Sequence, residues 1–273
     1  MPIHYEKKDH VAYITIDGDN PLNPISAAMS KELLEAFTDY RDDRNLWVAI
    51  LTGQGDRAFS AGGNLRGHWA NRDNQFTPEG IRKAFWHPKE VPPTASTYVW
   101  NLYQLEQYKP VISAIKGYCL GQGLITILAL SDIRVASEDA KFGLTEIKRG
   151  LGAGSYVMTR LQYQLPYAMA MELILTGDMV SAQDAHRMGL INKVVPKDKV
   201  MSTAEEYAQR ILENSPVAVR ASKEIFLRGL EEPSYRNLAR LAGALAGFAR
   251  QSKDTMEGER AWQEKRKPVF TGE

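Results

Sequence analysis

The stretch Lys109-Pro110-Val111-Ile112-Ser113-Ala114-Ile115-Lys116-Gly117-Tyr118-Cys119-Leu120-Gly121-Gln122-Gly123 runs from an apolar segment through a glycine-rich turn into Leu124-Ile125-Thr126-Ile127-Leu128-Ala129-Leu130. Val111 to Ile115 has the near-continuous apolar character of a strand buried on both faces. Leu124 to Leu130 reads as a buried helix and is too short for a membrane span. Glycines between strand and helix let the backbone approach a ligand, and a helix N-terminus offers unpaired N–H donors with a favourable dipole. A second turn of this kind lies upstream in Ala58-Phe59-Ser60-Ala61-Gly62-Gly63-Asn64-Leu65, after the apolar run Trp47–Thr52 and the turn Gly53-Gln54-Gly55-Asp56. Two such turns aimed at one point would form an oxyanion hole. Glycines in these places also serve the turn alone, and each turn by itself leaves both readings open.

Outward from these turns the chain alternates strand and helix. Val11–Ile16 is β-rich and ends in the turn residues Asp17-Gly18-Asp19-Asn20-Pro21. Ser26 opens a helix that places Met29, Leu33, Phe37 and Tyr40 on one face. Ile133–Ala136 is a further strand. The alternation predicts an α/β layered core. Ser181-Ala182-Gln183-Asp184 resembles a capping box. After the short strand Lys193-Val194-Val195 only helices are expected, at 198–213, 216–230, 235–252 and 254–266, with breaks at Pro216 and Pro233. Such a tail either covers its own core or docks on a neighbouring subunit. The stretch from Leu65 to Tyr108, rich in aromatics and prolines, falls outside this rhythm. It reads equally as a lid over a site or as a satellite cluster beneath a long loop.

The 273 residues suffice for one large domain or a domain with an appendage, and 44% hydrophobic with 25% charged residues is an ordinary globular balance. A net charge of +1, with basic residues scattered, leaves no footprint of nucleic-acid binding. The single cysteine, Cys119, excludes an intrachain disulfide framework and fits a reducing compartment. The N-terminus lacks a signal core or transit-peptide composition, so a cytoplasmic enzyme without a membrane partner is expected. Dinucleotide, P-loop and nucleophile-elbow motifs are missing. His4, His10, His68, His87 and His186 have no metal-ligand spacing, so no metal is expected.

Taken in order, Ala58–Leu65, Lys109–Tyr118, Ser131–Ala136, Phe142-Gly143-Leu144-Thr145-Glu146-Ile147, Leu175–Asp178, Ala182–Ala185, Gly189–Pro196 and Glu264–Phe270 closely resemble the crotonase (enoyl-CoA hydratase/isomerase) superfamily over nearly the whole chain. The resemblance implies a ββα spiral core over 1–197 and a helical oligomerisation region over 198–273, packed as a homotrimer or homohexamer. It implies an acyl-CoA thioester substrate and no separate cofactor, coenzyme A being part of the substrate. By position, the main-chain N–H groups of Gly63 and Gln122 would hold the thioester oxygen as it becomes enolate-like; one such donor is typically worth about 3–4 kcal/mol. Substrate and CoA contacts would fall on Arg57, Ala58, Ala61, Leu65, Arg66 and Gly121, with Lys265 and Phe270 from the tail. Lys265-Arg266-Lys267 also reads as a solvated charge run.

The sequence departs from the family where protons move. Hydratases of the family carry one glutamate in the helix after the second turn and another in the Phe-Gly-x-x-Glu segment. The second is Glu146; the first position holds Ile125. Asn64 stands where an aspartate is common. The resemblance thus implies hydratase/isomerase chemistry with Glu146 as proton carrier. One alternative is a hydratase-lyase for an aromatic, hydroxycinnamoyl-like enoyl-CoA, whose family segment is similar to Phe142–Ile147. Another is a weakly active or inactive acyl-CoA-binding homologue.

Overall fold

The computed structural model describes residues 2–64, 77–79, 82, 86, 101–102, 104–151 and 158–273. Leu65, Arg66 and most of the aromatic-rich stretch lie outside the described residues. The larger sheet has six strands in the order β1 (Ile3–Lys8), β2 (Val11–Ile16), β3 (Val48–Gly53), β5 (Val111–Ile115), β7 (Ile133–Ser137) and β10 (Lys193–Val195). Only the β1–β2 pair is antiparallel. A smaller sheet orders β4 (Ala58–Ser60), β6 (Tyr118–Leu120), β8 (Lys141–Gly143) and β9 (Val180–Ser181). The chain passes from the large sheet to the small one three times, at β3 to β4, β5 to β6 and β7 to β8. Helix α2 (Gln122–Leu130) follows the second passage. This is an α/β spiral, and the loops after β4, β6 and β8 leave from the same end of these parallel strands.

Burial follows from the strand pattern. All six residues of β3 are buried. Ala49 and Leu51 join the core that holds α1 (Ala27–Asp42) and α2, while Val48 and Ile50 join a second core with Val200, Ala204 and Ala208 of α6 (Val200–Leu212). Alternate side chains of one strand thus fill two layers, as its apolar run predicts. Helix α1 begins where expected: the Ser26 hydroxyl accepts from the Met29 N–H, and Met29, Leu33, Phe37 and Tyr40 are buried.

Helices α3 (Met158–Gln164) and α4 (Tyr167–Thr176), together with the whole smaller sheet, were not evident from sequence. Strands of two or three residues are too short to display an alternation. Ser181 caps α5 (Ala182–Arg187) by accepting from Asp184 N–H, as the capping pattern implies. The four C-terminal helices, α6, α7 (Pro216–Gly229), α8 (Tyr235–Arg250) and α9 (Lys253–Glu264), match the expected spans to within two residues at each end. Neither α7 nor α8 has a buried residue within this chain. The tail is pinned by buried Asp254, which accepts from Ser215 Oγ at 2.8 Å and from Thr271 N–H at 2.8 Å. Among the described residues no helix is long and apolar enough to cross a membrane.

Candidate active site

The first glycine turn is held by side-chain hydrogen bonds. Asn23 is buried, with φ of 48°. Its Nδ2 donates to the carbonyls of Gln54 (3.0 Å) and Ala58 (2.8 Å), and its Oδ1 accepts from Gly18 N–H (3.1 Å). Ser60 Oγ donates to the Asn23 carbonyl at 2.7 Å and accepts from Gly62 N–H at 3.2 Å. Backbone bonds then stitch the turn to the segment around Leu22 to Ile25: Ala61 N–H to Leu22 O, Ile25 N–H to Gly62 O and Asn64 N–H to Ile25 O. Every neighbouring amide is thereby occupied. The Gly63 N–H donates to no acceptor among the described residues.

The second turn is held by backbone alone. Gly121 adopts φ 50°, ψ −120°, a conformation glycine takes without strain, and its N–H donates to Gly143 O at 2.9 Å. Helix α2 starts at Gln122, whose N–H therefore has no intrahelical acceptor. The two turns interlock. A Cβ added at Gly62 would stand 3.8 Å from Gln122 N, and one added at Gly63 would stand 3.9 Å from Gln122 Cβ. Gly123 packs directly on Ser60, where an added Cβ would meet the carbonyl oxygen at 2.5 Å. The main chain of Gly63 and that of Gln122 thus lie side by side.

Glu146 reaches that place from a 3-10 helix, Thr145–Arg149, which ends in left-handed Gly150. Lys148 pairs with Asp178 across this turn, and Gly177 packs so closely beneath it that a Cβ would meet Ile147 at 2.6 Å. A Cβ on Gly121 would stand 2.9 Å from Glu146 Oε1. Oε2 is buried and has no hydrogen-bond partner among the described residues. Burial raises the Glu146 carboxyl above the ordinary range, against a smaller opposing effect of its own backbone N–H and of Arg149. Ile125 is 6% exposed on the first turn of α2, its N–H bonded to Gly121 O. No proton donor stands at that position.

The remaining candidates divide. Gly121 belongs to the cluster. Arg57 is exposed at the rim, its carbonyl accepting from Tyr118 N–H at 3.2 Å. Ala58 is fully buried in β4, and its carbonyl accepts from Asn23 Nδ2. Ala61 is half-buried in the first turn itself. Lys265 is the exposed left-handed cap of α9, and Phe270 rests beside Gly258 of the same helix. These two therefore sit in the C-terminal helical region. The described histidines have structural partners: His4 with Asp17, His10 with the Asn45 carbonyl, and His186 with the Ile191 carbonyl. Asn23 escaped the sequence reading, although the Asn23-Pro24 dipeptide is itself a turn signal.

The spiral of paired sheets thus brings the two glycine turns and the Glu146 carboxyl to one place. The family profile described as enoyl-CoA hydratase/isomerase matches residues 6–273. The chain is 34% identical to (E)-benzylidenesuccinyl-CoA hydratase of Thauera aromatica over 279 residues, covering all of both chains. It is 35% identical to carnitinyl-CoA dehydratase of Salmonella typhi, over 99% of this chain and 98% of that one. The crystal structure of an enoyl-CoA hydratase from Bacillus anthracis superposes over the full length of both chains with a TM-score of 0.87 at 32% identity. The chain belongs to the enoyl-CoA hydratase/isomerase family, and its fold is the crotonase fold.

Proposed function

We propose that this protein adds water to, or shifts the double bond of, an enoyl-CoA thioester, with Glu146 as its single proton-carrying side chain. The N–H groups of Gly63 and Gln122 hold the thioester oxygen. In hydration the water oxygen bonds to Cβ while its proton passes to Glu146, and the thioester becomes an enolate stabilised by the two N–H dipoles. Glu146 then returns the proton to Cα, so one carboxyl group serves as base and as acid. In isomerisation it removes a proton from one carbon and delivers it to another. The observation that carries this reading is the half-buried Glu146 side chain packed on Gly121 at the meeting point of the two turns, its Oε2 enclosed without a hydrogen-bond partner among the described residues. Its raised pKa keeps the carboxyl in a range where proton return is less costly.

Coenzyme A enters as part of the substrate, with no separate cofactor. Its contacts are assigned to Arg57, Ala61, Leu65 and Arg66 and to the backbone of Ala58. Lys265 and Phe270 are assigned from the tail, through the assembly. A homotrimer or homohexamer is supported by α7 and α8, which leave Phe226 and Phe248 exposed in a single chain. Glu146→Gln should lower kcat about 10³-fold while leaving the Kd of a saturated acyl-CoA within a few-fold. Full retained turnover overturns the assignment. Binding without turnover of any thioester by the unsubstituted protein identifies an acyl-CoA-binding homologue instead.

A second reading is favoured by the similarity to a relative named for a benzylidene acyl group. Here an aromatic enoyl-CoA is hydrated, and the product then loses its hydroxyl proton and breaks Cα–Cβ. Aldehyde leaves, and the acetyl-CoA enolate takes up a proton. Release of an aldehyde together with acetyl-CoA distinguishes this outcome.

A further inference from the structure

We infer that the Gln122 carboxamide occupies the role left open by Ile125, holding the attacking water beside Glu146. The same residue would thus serve twice, its main-chain N–H on the thioester oxygen and its side chain on the water. The inference rests on the hydratase reading and adds to it the group that steers the nucleophile.

Among the described residues four buried side-chain polar atoms have no hydrogen-bond partner: Gln107 Nε2, Gln122 Nε2, Arg134 Nε and Glu146 Oε2. Leaving such an atom unpaired typically costs about 1–3 kcal/mol, so folding alone gives no reason to keep it. Two of the four belong to Glu146, which packs on Gly121, and to Gln122, which follows that glycine. Glu146 Oε1 stands 2.9 Å from the place a Gly121 Cβ would take, and Gln122 is the next residue along the chain. Its Cβ lies 3.9 Å from the place a Gly63 Cβ would take, so its side chain leaves the helix beside the first turn.

The two atoms are chemically complementary. An amide Nε2 only donates, and an ionised Oε2 only accepts. One water can accept from the first and donate to the second, which fixes its lone pair and its departing proton at once. Turning the carboxamide over would instead present Oε1, which also bonds to water, so the role does not depend on that assignment. No other side chain in the first turn of α2 can substitute. Gly123, Leu124 and Ile125 carry no polar atom, and Thr126 Oγ1 is spent on the Gln122 carbonyl at 2.8 Å. An amide cannot take a proton at neutral pH, so both proton movements stay with Glu146.

The test compares two reactions of one site in the intact protein. Hydration of cinnamoyl-CoA and crotonyl-CoA needs a held water. Exchange of the Cα deuterium of labelled 3-phenylpropanoyl-CoA or butanoyl-CoA with solvent needs only Glu146 and the two N–H groups. Gln122→Leu keeps the main-chain N–H; Gln122→Met replaces it if the leucine variant fails to fold, as judged by near-ultraviolet circular dichroism. Hydration should fall on the order of 100-fold and exchange by less than about tenfold, so the ratio of the two rates shifts at least tenfold. Gln122→Glu should recover much of that ratio.

Equal losses in both reactions overturn the inference, because the side chain would then merely shape the donor pair. No loss in either also overturns it and leaves the Glu146 reading standing. A native protein that neither exchanges nor hydrates, with a Glu146→Gln variant indistinguishable from it, defeats the Glu146 reading and this inference together.

Discussion

The two glycine turns present the same chemical group by different means. The first is an irregular loop whose shape depends on polar side chains, chiefly Asn23 and Ser60, bonding to backbone. The second is the mouth of a helix, where the donor is open because helices begin that way, and it is located by glycines packed to within a Cβ of their neighbours. A donor held by hydrogen bonds fails in increments as bonds are removed. A donor held by close packing fails by collision. Each turn is as sensitive to substitution as the mechanism that holds it.

Substitutions can break this comparison or sharpen it. Gly123→Ala should have the largest effect: its Cβ meets a backbone oxygen of the first turn at 2.5 Å, so both turns must shift. A stability loss of about 3 kcal/mol, read from urea denaturation, should accompany loss of most activity. Asn23→Ala removes three bonds to backbone groups, one of them fully buried, and should cost about 2 kcal/mol, with a smaller loss of kcat. If Asn23→Ala proves more damaging than Gly123→Ala, the distinction between polar and packed support collapses.

Gly121→Ala comes next. Its added Cβ strikes the end of a flexible side chain, which can yield, so the stability cost is mainly the positive-φ backbone that suits glycine alone, about 1–3 kcal/mol. Activity should fall further than stability implies, because the group that yields is Glu146. The smallest effect concerns pH. The Glu146 carboxyl is raised in the folded state, which therefore prefers its protonated form. The resulting penalty on folding is absent below the ordinary glutamate range, grows as pH rises through the raised value, and then stays constant. Glu146→Gln should accordingly raise Tm at neutral pH, with the gain disappearing in acid. A Tm difference independent of pH would break that link between burial and ionisation.

Much of the framework was legible because it is periodic. The α1 face from Met29 to Tyr40, the doubly buried β3 and the four C-terminal helices each repeat a pattern over several residues, with caps or prolines marking their ends. The smaller sheet repeats nothing, since its strands are two or three residues long and are defined by partners far along the chain. The site was readable in part. Gly63, Gln122 and Glu146 follow from motif order, but that the Glu146 carboxylate lies against Gly121 depends on two separate passages between the sheets and on the pairing of β6 with β8. Asn23 was invisible for a related reason, as its role lies in backbone atoms more than thirty residues away. Lys265 and Phe270 mark the remaining boundary, because one chain folds them beside α9.

Cys119, the only cysteine of the chain, lies in β6 with no exposed surface, and burial pushes its thiol well above the ordinary range. Alkylating reagents attack the thiolate, so the folded protein should be silent to them. The residue is therefore a built-in clock for local opening. Its labelling rate under native conditions times the separation of β6 from its neighbours, immediately before the second turn. The same silence gives a clean background for spectroscopic probes, since one cysteine introduced on an exposed rim would be the only place a fluorophore or spin label attaches.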